Sequence, residues 1–351
     1  MSRFVYTGQG AHGQSAGASA TPPPAVSDDP QPAGSLGAGL RRARLQRPEE
    51  YIADPGLVDA VNVALLLGQP LLLTGDPGTG KTQLAASLAW ELELPPPLRF
   101  ETKSNSVARD LFYLYDALGR FQAKDTPGAN ADPRTYLTYS ALGEAILRTR
   151  DQADVARWLP PDFKPGFRLQ SVVLLDEVDK APRDFPNDLL NEIENLRFRI
   201  PELKNAMVEA DAALEPIVVV TSNSEKDLPD AFLRRCVYYN IPFPDRAELL
   251  RIVTSRLGDH AGGSSAFLDD ALDLFFELRT PSTGLRKRPA TAELLGWLLV
   301  LRDLLPGSEN PLAERPKLAL QTLSCLVKAA EDQEKGKRLV EQWVDQRSKR
   351  S

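Results

Sequence analysis

The segment Gly75-Asp-Pro-Gly-Thr-Gly-Lys81-Thr82 carries the spacing G-x-x-x-x-G-K-[ST]. Residues Gly75, Asp76, Pro77, Gly78, Thr79, Gly80, Lys81 and Thr82 are the parts of a loop that cradles phosphate. Glycines let the backbone fold round an anion without Cβ clashes. The N–H groups opening the next helix attract negative charge. Lys81 is placed to reach β- and γ-phosphates, and the Thr82 hydroxyl to face Mg2+. A second candidate is Val172-Val-Leu-Leu-Asp176-Glu177, where an apolar run ends in two carboxylates. Asp176 suits the Mg2+ shell, and Glu177 suits polarising a water for attack on the γ-phosphate. The structural alternative is a strand-end cap in which the acids pair with Lys180. A third apolar run, from Ile217, ends in Asn223, whose uncharged amide can orient a water without competing for the metal.

These residues need elements to hold them. Apolar, β-branched or Leu-rich runs at 70–74, 171–175 and 217–221 read as strands covered on both faces. Leu98–Thr102 and Val237–Ile241 read as further strands. Helical stripes lie between them: Leu84, Leu88 and Leu92 at i, i+4 and i+8, then Leu189, Leu190, Ile193 and Leu196. Alternating strands and helices predict a doubly wound parallel sheet of five strands. In such a sheet, ligands sit beyond the carboxyl ends of the strands, where all three candidate groups fall. After Pro242 and Pro244 only helical periodicity remains, so an all-helical second domain is expected over 245–351, following an α/β core over 46–244. Residues 1–45 are dominated by Gly, Ala, Pro and Ser with few charges, a composition expected to lack fixed structure.

The chain has 351 residues and a net charge of −6. That balance argues against a broad nucleic-acid-coating surface, although Arg41, Arg42, Arg44 and Arg47 form a local basic cluster. The longest apolar stretch, Val63–Leu73, is interrupted by Gly68, Gln69 and Pro70, too short for a membrane span. Met1–Gly10 lacks the apolar core of a secretory signal. Cys236 and Cys325 make no disulfide framework, and with two histidines a Cys/His metal site is not expected. A cytoplasmic, reducing setting is the expectation.

The three strand-end motifs, in this order, resemble those of AAA+ ATPases over roughly residues 48–300, and finer features resemble the MoxR branch. Gly75–Thr82 is similar to Walker A, Val172–Glu177 to Walker B, and Asn223 falls at the sensor-1 position. Tyr51-Ile52-Ala-Asp54 lies where that branch contacts adenine. Leu228-Pro-Asp-Ala-Phe-Leu-Arg234-Arg235 resembles its L-P-E-A-x-L-D-R-F stretch. By position Arg235 is the arginine finger, with Arg234 the alternative because it stands where the family has Asp. The loop after Asn223 is shorter than in typical members. Residues 105–140, with the aromatic run 111–115, resemble the helix-2 insert, and 198–216 the hairpin before sensor 1. Those aromatics fit a ring pore or core packing equally. Sensor 2 falls on Arg288, with Lys287 second, just before a helix that Thr291 would cap. The resemblance implies ATP and Mg2+ as ligands, hydrolysis of ATP, and a ring homo-oligomer, by that likeness a hexamer. It also implies a client bearing a von Willebrand factor A-type domain. A nucleotide-gated scaffold with little turnover is one competing class, and a nucleic-acid motor or loader another.

Overall fold

The continuous apolar runs become the interior of one parallel sheet. A computed structural model describes residues 6–10, 47–123, 132–182, 184–223, 228–258 and 265–348. The strands used below are β1 (Leu71–Thr74), β2 (Leu98–Glu101), β3 (Tyr113–Tyr115), β4 (Leu137–Tyr139), β5 (Val172–Asp176), β6 (Arg197–Ile200), β7 (Ala206–Glu209), β8 (Ile217–Thr221) and β9 (Val237–Asn240). Five of them form the main sheet in the order β2-β5-β8-β1-β9, every neighbouring pair parallel. Both β1 and β5 are buried along their whole length. At the edges, β2 and β9 alternate half-buried and exposed residues, as expected of strands with a neighbour on one side only.

The main helices that alternate with these strands are α1 (Pro55–Leu67), α2 (Lys81–Glu91), α3 (Ala141–Thr149) and α4 (Phe185–Asn195). Asp54 caps α1 by accepting from Leu57 N at 3.1 Å, and Gly68 ends it in the left-handed region. Leu84 and Leu88 are buried along the inner side of α2. Two antiparallel pairs, β3–β4 and β6–β7, are inserted outside the main sheet. Phe112 stacks on Phe198 at 4.8 Å between ring centroids, and Tyr139 meets the same ring edge-on. The aromatic run at 111–115 is therefore largely core: Leu111, Phe112 and Tyr113 are buried, while Leu114 is exposed. Gly143 on α3 is required here, because a Cβ would fall 2.0 Å from the Phe112 carbonyl oxygen.

The described residues divide into two units. The first takes in 6–10, 52–75 and 81–241; the second takes in 47–51, the loop tip 76–80, and 242–348. The second unit is helical, built on α5 (Arg246–Leu257), α6 (Ser265–Arg279), α7 (Thr291–Leu304) and α8 (Ala330–Ser348). Leu249, Val253, Phe275, Leu298 and Trp343 lie in one apolar core with the fully buried Trp297, whose indole N–H donates to Thr322 Oγ1 at 2.7 Å. Among the described residues no helix is long and apolar enough to cross a membrane.

Residues 6–10 correct the expectation for the amino-terminal arm. They fall inside the segment read as lacking fixed structure, yet they are pinned to the first unit. Tyr6 is fully buried and its hydroxyl meets Ser87 Oγ at 3.1 Å. The Asn62 side chain closes on both the N–H and the carbonyl of Tyr6. The buried carboxylate of Glu91, the last residue of α2, accepts from Thr7 N at 2.7 Å, Thr7 Oγ1, Gly8 N and Gly10 N. Gly8 has φ +68°, and a Cβ there would strike Ala53 at 2.6 Å. Composition averaged over residues 1–45 does not show this short anchoring motif. The basic residues Arg41, Arg42 and Arg44 lie outside the described residues, as do both histidines; Arg47 is described and pairs with Glu50 at 3.4 Å.

Removing residues 1–10 strips a buried carboxylate of its donors and opens the space filled by Tyr6. The expected outcome is a melting temperature lower by roughly 5–10 °C, corresponding to the loss of about 3 kcal/mol. Calorimetry of the shortened chain beside Tyr6→Ala measures it, and two melting curves identical to wild type would refute the anchoring role.

Candidate functional site

The sheet order decides where the motifs meet. β5, β8 and β1 are consecutive neighbours, and parallel strands lie only about 4.8 Å apart. The segments leaving their carboxyl ends, which begin with Gly75, Glu177 and Ser222, are therefore adjacent. In the loop after β1, Gly75, Gly78 and Gly80 all have positive φ, 135°, 80° and 91°, values that favour glycine over other residues. Thr79 closes the turn, its hydroxyl donating to Asp76 O at 2.9 Å. Lys81 is buried and its ammonium donates to Gly75 O at 2.7 Å, which holds the charge at the base of the loop.

Asp176 is the most constrained acid of the site. It is 4 % exposed. Its Oδ1 accepts from Thr221 Oγ1 at 2.5 Å and from Thr82 Oγ1 at 3.1 Å. Its Oδ2 pairs with the Arg99 guanidinium at 2.7 Å. The Thr221 hydroxyl also accepts the backbone N–H of Glu177 at 2.9 Å. One hydroxyl thus fixes both consecutive acids. Glu177 sits in the left-handed region, φ 57° and ψ 51°, a conformation that costs a residue with a side chain about 1–2 kcal/mol. Strain of this kind concentrates at functional positions. The Glu177 carboxylate is half-exposed and engages Lys180, whose pKa is raised first by that hydrogen bond. The pairing anticipated as a structural alternative is therefore present, but only at Glu177. Asn223 is exposed just past β8, and its backbone N–H donates to Asp179 Oδ1 at 3.1 Å.

The other sequence-selected residues divide. Tyr51 is buried and its ring lies against Gly80, where a Cβ would approach it to 3.1 Å; Ile52 is half-buried. Arg234 and Arg235 are exposed beyond the short helix Asp230–Leu233. Arg235 pairs with Glu194 of α4 at 3.2 Å. Arg286, Lys287 and Arg288 are exposed; Arg286 pairs with Glu331, and the backbone N–H groups of Arg286 and Lys287 both donate to Asp332. Those two donors hold the Asp332 carboxyl below its usual pKa. Thr291 does not cap α7. Ala290 is the N-cap residue, Glu293 closes on its N–H at 3.1 Å, and Thr291 is buried at the first helical position with its hydroxyl unpaired.

Three residues that the motifs did not mark also belong here. Arg99 and Thr221 complete the Asp176 network. In the helical unit Arg279 faces Asp76 of the loop tip at 3.6 Å, donates to Pro289 O at 2.5 Å and lies over the Phe243 ring. Burial pushes its pKa down, while the Asp76 charge opposes that shift. Arg288 lies near enough to Arg279 to act on it electrostatically.

Residues 70–236 match the family model of the AAA domain, dynein-related subfamily. This stretch is similar to an AAA domain. It begins one residue before β1 and ends one residue before β9, so it contains the phosphate loop, both acids and Asn223. No curated protein matches the chain. An AAA domain supports general AAA+ ATPase function and implies nucleotide binding, usually with Mg2+. The residues present fit both ligands. Three positive-φ glycines and a buried lysine suit a polyphosphate. A threonine hydroxyl and a carboxylate within hydrogen-bond reach are hard oxygen donors of the kind Mg2+ takes. No group of three or more His, Cys, Asp or Glu residues suited to a metal occurs among the described residues.

Thr221→Val keeps the shape of the side chain and removes the hydroxyl that joins Asp176 to Glu177. A hydrogen bond to a charged group is worth about 1.5–3 kcal/mol. Turnover should therefore fall roughly ten- to a hundredfold, with nucleotide affinity within about threefold of wild type. Steady-state phosphate release and a fluorescent-nucleotide titration read the two quantities separately.

Proposed function

We propose that this chain is a MoxR-like AAA+ ATPase that hydrolyses ATP in a ring homo-oligomer and remodels a client protein. The observation that carries the hydrolytic reading is the Thr221 hydroxyl, which ties a Mg2+-suited Asp176 to a strained Glu177 beside the phosphate loop. The dynein-related subfamily includes MoxR-like proteins, which supports the finer assignment alongside the residues 228–235. The client is a protein with a von Willebrand factor A-type domain, supported by the resemblance to that branch. Free Cys236 and Cys325 suit a reducing, cytoplasmic setting.

In this reading Lys81 and the loop N–H groups bind the β- and γ-phosphates. Tyr51 and Ile52 border the base. Bound Mg2+, held by Thr82 and Asp176, supplies charge neutralisation on the phosphate oxygens. Asn223 orients a water and Glu177 takes its proton as the oxygen bonds to the γ-phosphorus. The bond from that phosphorus to the β,γ-bridging oxygen breaks, releasing ADP and phosphate. Lys180 has to yield the Glu177 carboxylate first, which its exposed position allows. Arg235 acts on a neighbour's γ-phosphate after leaving Glu194, and its planar, permanently charged fork suits that role. Arg234 is the alternative finger. Arg288, or Lys287, senses the nucleotide from the helical unit.

Lys81→Ala should abolish nucleotide binding, while Glu177→Gln should retain binding and lose about 10²–10⁴ in turnover. Wild-type phosphate release by Glu177→Gln would make that residue structural. A wild-type chain that binds ATP but releases no phosphate would favour the scaffold reading instead.

The trans finger makes activity depend on assembly. Specific activity should climb steeply with protein concentration, and mixing Arg235→Ala with Lys81→Ala subunits should restore part of it. Arginine fingers contribute about 10³–10⁵ in rate, so even a small share of repaired interfaces is measurable. Loss in Arg234→Ala with none in Arg235→Ala would move the finger by one residue. Activity independent of concentration where the protein is monomeric would end the trans assignment.

A further inference from the structure

Asp176 has a partner that a nucleotide site does not require. Arg99 lies on β2, the strand paired with β5, in register with Leu174. From there its Nη2 reaches Asp176 Oδ2 at 2.7 Å and Glu101 Oε1 at 3.1 Å. The two acids differ sharply. The Asp176 side chain is 5 % exposed and that of Glu101 is 66 % exposed. Arg99 itself is about half-exposed. A single guanidinium therefore bridges a buried carboxylate inside the site and a solvated one at its edge. Of the two Asp176 oxygens, Oδ1 is the one Thr221 holds. The other, Oδ2, is the one Arg99 holds.

We propose that Arg99 is the resident counter-cation of Asp176, competing with the divalent cation for that carboxylate and withdrawing onto Glu101 when the metal binds. The proposal rests on the reading that Thr82 and Asp176 hold the metal. A buried carboxylate needs a compensating positive charge or donors at every stage of a cycle. Before metal arrives, Arg99 supplies the charge. Once metal is bound, two cations on one carboxylate repel each other across a short distance in a poorly solvated place. Glu101 removes the obstacle, because the guanidinium keeps an ionic partner after release. An exposed pair such as Arg99–Glu101 is worth little by itself, so either resting place is accessible. A merely stabilising ion pair would need neither the second acid nor its exposure. Metal affinity is thus set partly by a residue that need not touch the metal.

The test uses the full chain saturated with ADP and reads free Mn2+ by electron paramagnetic resonance during titration. Arg99→Gln should tighten Mn2+ binding about tenfold, and Arg99→Lys should stay within roughly threefold of wild type. Glu101→Gln should loosen it a few-fold, since the guanidinium then has only Asp176 to hold. Asp176→Asn is the control and should loosen it by more than about tenfold. Without metal, Arg99→Gln should melt below wild type, and Mn2+ should recover more of its melting temperature than it adds to wild type. If Asp176→Asn loosens Mn2+ while Arg99→Gln leaves it unchanged or weaker, the competition is refuted and the metal site stands. If Asp176→Asn leaves Mn2+ affinity unchanged, the metal reading falls and the proposal falls with it.

Discussion

A buried carboxylate organises this molecule's chemistry. Asp176 lies at the end of a strand covered on both faces, where an uncompensated charge would cost several kcal/mol. Its compensation comes from three different elements: Thr82 on α2, Thr221 on β8 and Arg99 on β2. None of these is a sequence neighbour, and each must arrive in register for the charge to be tolerated. The β2-β5-β8 order supplies two of them from the strands on either side of β5. Folding of the sheet and assembly of the site are therefore the same event. Thr221 extends the coupling by one residue, because the hydroxyl that donates to Asp176 also accepts from Glu177 N. The hydrolytic candidate is thereby positioned through its backbone while its carboxylate stays free to exchange partners.

The phosphate loop shows a second compromise. Its glycines adopt backbone conformations that side chains avoid, and two of them also leave room for close neighbours within the helical unit. A Cβ on Gly78 would fall 2.7 Å from that of Ala290, and one on Gly80 would crowd Tyr51. The loop tip carries an acid, Asp76, in a segment meant for anions. Arg279 faces it, and that arginine is itself steadied by a carbonyl and an aromatic ring. The local charge is thus balanced before any polyphosphate enters.

Much of this arrangement was legible in the residues. All five strands of the main sheet were visible as short apolar runs, and the phosphate loop is dense enough in glycine to identify itself. The acids at 176 and 177 stood out because an apolar run seldom ends in two charges without cause. What escaped was whatever depends on strand order. Arg99 sits in an unremarkable Leu-Arg-Phe-Glu run, and only the pairing of β2 with β5 brings it to Asp176. Thr221 looked like an ordinary β-branched strand residue until its hydroxyl was placed. The resemblance points to Arg288 and Lys287 in the basic run 286–288, whereas no motif marks the better-buried Arg279 at the end of a helix. Thr291 had the right chemistry for a cap but lies one position too late, and the Glu293 side chain closes the turn instead. The docked residues 6–10 were lost in the low-complexity composition around them.

The grip of Glu91 on Thr7, Gly8 and Gly10 gives α2 a fixed point at each end. Its first residues, Lys81 and Thr82, belong to the phosphate loop, and its last holds the start of the chain. Shortened versions of the protein that begin at the α/β core would thus sever a tether on the very helix that presents the loop lysine. A shortened version that keeps residues 6–10 retains the tether, and one that begins after Gly10 does not. Weak nucleotide binding by a trimmed protein would then report a loosened helix rather than a defective loop.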